Sequence, residues 1–166
     1  MNKKLIAMLF LMAPLALFAQ KFGHLNSADI IQSMAEYAVA QTELQNLEKQ
    51  YTNELQMMES ELAKKSEAYE KERATLPANI AQRRESELQE LYSRMQQYYQ
   101  QSQVELQQAS QEKMAMITEK VTKAIKEVGA AGGYLYIFDI ASGIPYISET
   151  LSTDVTTAVK AKLGIK

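Results

Sequence analysis

From His24 to Val128 the chain contains no glycine and a single proline, Pro77, close to the midpoint. Glycine and proline disfavour a helix interior by about 1 and 3 kcal/mol relative to alanine, so their absence over about a hundred residues predicts long helices. The lone proline marks a turn between two of them. Leu76, preceding it, is driven out of helical geometry, and Asn79 can cap the helix that follows. Ser27 or Asp29 is the expected cap of the first helix, and V-G-A-A-G-G supplies permissive glycines at the end of the second.

Apolar residues support the same reading. Leu44, Leu47, Tyr51, Leu55, Met58, Leu62, Tyr69 and Leu76 recur at steps of three, four or seven. Leu88, Leu91, Met95 and Tyr98 continue the rhythm through a polar interval at Ser102, and Leu106, Ala109, Ile117, Val121, Ala124 and Val128 follow. Such spacing is a narrow seam for one partner helix. The successive four-residue steps Leu47–Tyr51–Leu55 form an eleven-residue unit, which relaxes a left-handed supercoil. At about 1.5 Å per residue, arms of roughly 45 to 50 residues reach about 70 Å.

The flanking pieces are short. Residues 21–26 read as a strand, Tyr134–Asp139 as a second rich in aromatic and β-branched residues, and Pro145–Ser148 as a third. Thr153 or Asp154 can cap a final helix bearing Val155, Val159 and Leu163, stopped by Gly164. The expected fold is therefore mostly α with a small β body: a hairpin arm over 29–128 and a β-rich body from 20–28 and 129–166. A body of fewer than 50 residues buries too little apolar surface to stand easily alone, and with no cysteine there is no disulfide to help. Self-association is the expected remedy, with Phe22, Leu25, Tyr134, Tyr136, Phe138 and Ile147 as candidate interface residues.

Residues 1–19 carry Lys3 and Lys4, an apolar run interrupted by Pro14, and Ala19 at the end, the pattern of a cleavable secretory signal. The run is shorter than the roughly 20 residues a spanning helix needs. Removing it leaves 16 basic against 20 acidic residues, a net charge of −4. An acidic chain gives no electrostatic reason to expect nucleic acid, and it argues against contact with lipid or lipopolysaccharide. No phosphate-binding glycine loop, nucleophile elbow or metal-ligand spacing is present, so neither an enzyme nor a cofactor is expected. The single histidine, His24, falls in the first strand and reads as a structural or interface residue.

On the arms, Met57, Tyr92, Tyr99 and Val104 lie beside the seam, and flexible or amphipathic side chains of this kind suit imprecise recognition. They are candidate client contacts. Near the turn, six basic and six acidic residues alternate between Glu61 and Glu87; Lys71, Arg73, Arg83 and Arg84 are candidate electrostatic contacts there. A structural spacer or adaptor of the cell envelope would use the same arms.

The segments K-F-G-H-L-N-S-A-D-I-I-Q-S-M-A-E-Y (21–37) and E-K-V-T-K-A-I-K-E-V…G-Y-L-Y-I-F-D (119–139), the proline-bearing hairpin and the terminal K-L-G-I resemble the Skp/OmpH periplasmic chaperones. The resemblance spans essentially the whole chain after the signal. It implies a homotrimer whose small β body holds three helical arms around a cavity. Unfolded outer-membrane β-barrel proteins would be held there without ATP. The best-known members are strongly basic, and this chain is not.

Overall fold

The computed structural model describes residues 20–165, and the expected signal segment lies outside them. In chain order the elements are β1 (Lys21–Leu25), α1 (Ser27–Gln32), α2 (Ala35–Glu72), α3 (Ala78–Gly132), β2 (Tyr134–Asp139), β3 (Ser152–Asp154) and α4 (Thr156–Lys162). A 3-10 turn, Ile140–Ser142, follows β2. The chain divides into two compact units, residues 35–116 and the residues on either side of them.

The first unit is an antiparallel hairpin of α2 and the first part of α3. Its register is legible from three cross-pairs. Tyr69 donates to the Glu85 carboxylate, each eight positions from Pro77. The Tyr51 and Tyr98 rings meet edge to face at 6.1 Å, and Lys113 pairs with Glu43 farther along. The residues of the expected seam are buried or half-buried throughout, Leu91 at 4% exposure. Ser102, the polar interval, is itself buried at 2%, its hydroxyl donating to the Tyr99 carbonyl at 2.8 Å. The turn departs from expectation in one detail. Asn79 lies inside the first turn of α3, and the Pro77 carbonyl opens the helix by accepting from Ile80 and Ala81 at 2.9 and 3.0 Å. Proline lacks an amide hydrogen, which a helix's first turn leaves unpaired in any case.

The second unit holds a three-stranded sheet in the order β2-β1-β3 with both pairings parallel. Phe22 pairs with Tyr136 and His24 with Phe138 on one side, while Phe22 pairs with Ser152 and His24 with Asp154 on the other. Leu25, Ile30, Met34, Ile117, Val121, Ala124, Val155 and Val159, all at 4% exposure or less, form its core. Gly23 permits close packing, since a Cβ there would meet Ile137 and Tyr134 at 3.2 Å. Gly133, at φ 64°, closes α3 in the left-handed conformation that glycine tolerates.

Three expectations for this unit are corrected. Pro145–Ser148 is irregular, and the third strand is the polar segment Ser152–Asp154, held to β1 by backbone pairing and followed by the Val155 amide donating to the His24 carbonyl at 2.8 Å. The first helix is capped by Asn26, whose side chain accepts from the Asp29 amide at 3.2 Å. The helix is also not continuous with the arm: α1 ends at Ser33, where the hydroxyl bonds back to the Asp29 carbonyl at 2.6 Å, and α2 starts afresh at Ala35.

Asp139 ties these pieces together. Its carboxylate accepts from the amide and hydroxyl of Ser27 and from the Ala141 amide, joining the end of β2 to the start of α1 and capping the 3-10 turn. Partial burial pushes its pKa up, but the donors from Ser27 and Ala141 outweigh this and hold it below the usual carboxylate range. A depressed folded pKa means the carboxylate contributes stability above its unfolded pKa, a contribution lost as pH falls through the folded value. Asp139→Ala should therefore cost about 1 to 2 kcal/mol in urea denaturation at neutral pH. The difference from wild type should shrink as the buffer is acidified below about pH 4.

Candidate functional site

The hairpin seam leaves several large apolar side chains unused. Met57, Tyr92, Tyr99 and Val104 are 50 to 59% exposed. Tyr92 and Tyr99, seven residues apart on α3, line a groove of about 770 Å³ together with Leu55 and Met95. Gln96 donates to the Tyr92 hydroxyl at 2.7 Å and steadies that ring. Val104 borders a separate depression of about 680 Å³ with Met58, Tyr98 and Arg94. Met57 stands outside both. Val39 and Met116, not singled out by spacing, are equally exposed on the arm.

The four cations near the turn are engaged locally. Lys71 pairs with Glu67 at 2.6 Å and Arg73 reaches Glu70 at 4.0 Å, while Arg83 and Arg84 share Glu87 at 3.4 and 3.5 Å. All are exposed, Arg73 in the turn after α2 and the others on helix surface, where such pairs are weak.

In the second unit, Phe22 and Tyr136 stack at 6.4 Å with their rings 6° apart, and Tyr136 continues to Phe138 at 6.0 Å. Tyr136 and Phe138 are exposed, so this row forms an aromatic face on the sheet. Tyr134 is half-buried beneath the Lys21 ammonium, which sits 4.1 Å from its ring centroid. Ile147 is half-buried. Leu25 behaves differently: at 1% exposure it belongs to the core of this chain and offers no surface to another. His24 lies beside the aromatic row with Nδ1 2.8 Å from the Ser152 hydroxyl, a contact invisible in sequence because 128 residues separate the two. Tyr146 and Leu151, in the irregular segment before β3 and equally unforeseen, are 79 and 77% exposed. Among the described residues, no group of three or more His, Cys, Asp or Glu is placed to hold a metal ion, and no helix is long and apolar enough to cross a membrane.

A hairpin arm with unspent apolar groups and a small parallel sheet with an open aromatic face can be compared with known proteins. Residues 21–163 match the outer membrane protein family described as OmpH-like. The chain belongs to this OmpH-like family. It is 28% identical over 154 residues to the chaperone protein Skp of Yersinia enterocolitica, covering 92% of this chain and 93% of the relative. Its fold is similar to the crystal structure of a chain from Caulobacter crescentus described as an OmpH-like outer membrane chaperone. The TM-score is 0.76 at 18% identity, over 87% of this chain and 83% of the other.

Within the OmpH-like arm, polar locks bridge the two helices beside the seam. Tyr51 donates to Glu105, which also accepts from Gln101 at 2.9 Å. The hydrogen bond to Glu105, followed by desolvation, pushes the Tyr51 phenol up to about 12, and the same bond lowers the Glu105 carboxyl. Tyr69 is raised in the same way by Glu85. A raised folded pKa gives stability that is complete below the unfolded value near 10 and is lost as pH climbs through the folded one. Alkaline titration followed by tyrosinate absorbance should show a component near pH 12 that disappears in Tyr51→Phe. The helical signal of the wild type should fall between pH 10 and 12, and by less in the variant.

Proposed function

We propose that this chain is an ATP-independent holdase of the periplasm, which keeps unfolded outer-membrane β-barrel proteins from aggregating in a cavity between helical arms. The observation that carries this reading is the set of exposed apolar side chains on an arm whose own seam is already filled: Met57, Tyr92, Tyr99 and Val104. Membership of the OmpH-like family and the chaperone names of its relatives support it. Barrel strands alternate apolar and polar residues and aggregate readily when unpaired in water. Many partial contacts, each worth less than the roughly 1.5 to 3 kcal/mol of a fully buried large side chain, would hold such a segment without trapping it.

The cavity requires more than one arm, and the reading includes a homotrimer assembled through the sheet. Parallel sheets are normally covered on both faces. Here one face buries Leu25 and lies against the core, while the other shows Phe22, Tyr136 and Phe138. Neighbouring copies are the proposed cover. Lipid or lipopolysaccharide is not part of the proposal, because the chain after residue 19 carries a net charge of −4, 16 basic against 20 acidic residues.

Two measurements test the two parts. The purified protein should suppress light scattering from a urea-diluted outer-membrane β-barrel protein at close to one trimer per client. The combined Met57→Ser, Tyr92→Ser, Tyr99→Ser and Val104→Ser variant should need several times more protein; scattering unchanged by the wild type overturns the holdase reading. Sedimentation should give a trimeric mass for the wild type and a smaller one for Phe22→Ser with Tyr136→Ser. A wild-type monomer would remove the assembly from the proposal.

A further inference from the structure

The groove beside Tyr92 and Tyr99 has a smaller counterpart on the same arm, of about 240 Å³, floored by Leu44 and Leu106. Their linings from α2 are the same pattern repeated. Gln41, Leu44, Gln45 and Glu48 line the smaller groove, and Thr52, Leu55, Gln56 and Glu59 line the larger. Each position is displaced by eleven residues, and the underlying sequence repeats as E-L-Q-N-L-E (43–48) and E-L-Q-M-M-E (54–59). Eleven residues are close to three helical turns, so both sets share one face of α2, about 16 Å apart along it.

Each groove thus has leucine in its lining, two or more amides and one carboxylate, with no cation in either lining. Glu48 and Glu59 form no ion pair among the described residues, in contrast to the paired acids near the turn. The surroundings add to the field. Residues 41–59 and 90–113 contain seven glutamates (43, 48, 54, 59, 90, 105 and 112) against three cations, Lys49, Arg94 and Lys113. Of those cations, Lys113 is held by Glu43, and Arg94 borders the other depression.

We infer that the two grooves are successive subsites for one extended, unfolded polypeptide segment that carries lysine or arginine between its apolar residues. The inference rests on the holdase reading and narrows its substrate class. Apolar side chains of such a segment would enter the leucine floors while its cations reach Glu48 and Glu59. An extended chain advances about 3.3 Å per residue, so about five residues separate the subsites and roughly ten span both. Charge complementarity across an exposed groove acts through the field of the arm and is screened by salt.

The test uses the purified protein and three fluorescein-labelled twelve-residue peptides with identical alternating apolar positions and lysine, serine or glutamate between them. Anisotropy at low salt should rank lysine above serine above glutamate, with about a tenfold gap between the first two. That gap should close in high salt and in the double variant Glu48→Gln, Glu59→Gln, whose helicity is checked by circular dichroism. A six-residue lysine peptide should lose most of the gain. Equal binding of the lysine and serine peptides, or a gap that survives the double variant, overturns the charge selection while leaving apolar client binding intact. Failure to bind any peptide, together with failure to suppress aggregation, overturns the holdase reading as well.

Discussion

Everything in this protein depends on the antiparallel seam between α2 and α3. A thin hairpin buries roughly one side chain in every three or four, so its register must be defended against slippage along a nearly featureless ridge. The turn at Pro77 sets the origin, and cross-helix pairs at increasing distance from it repeat the same register: Tyr69 with Glu85, Tyr51 with Tyr98 and Glu105, and Glu43 with Lys113. The buried Ser102, flanked on α3 by Tyr98 and Glu105, the two partners of Tyr51, has its hydroxyl satisfied within its own helix. With the seam consuming these residues, the tyrosines, methionines and valines beside it are left for other surfaces.

The sheet follows from the same constraint. A parallel pair cannot be closed by a tight turn and needs a long crossover. Here the residues between β1 and β2 include the whole hairpin, and the chain returns so that Phe22 lies beside Tyr136. The Asp139 carboxylate then joins the end of β2 to the start of α1. Polar contacts of this kind, with the Leu25, Ile30 and Val159 core beneath them, let a small body hold its shape around a short third strand.

Much of this architecture was legible in the chain because helices advertise themselves by periodicity and by what they exclude. Seam positions from Leu44 to Val128 could be named because a 3.6-residue repeat maps sequence directly onto a face. The body was less legible. Ser152–Asp154 is a strand by virtue of its hydrogen bonds to β1 and carries no apolar alternation, whereas Pro145–Ser148 has strand-like composition but no partner. The break between α1 and α2 at Ser33 and Met34 falls without glycine or proline, so no local propensity marks it. Leu25 looked like an interface residue by type, and only packing shows that it is spent inside one chain.

By itself, the sequence determined the long helices, the position of their turn and the seam that joins them, because these are set by local propensity and short-range periodicity. Only the tertiary structure decided which apolar residues remain exposed, that the eleven-residue repeat of α2 opens onto paired grooves, and that Phe22, Tyr136 and Phe138 form one aromatic row. Those features depend on neighbours tens of residues away. Side chains alike in type therefore end in core or on surface according to contacts that no local pattern encodes.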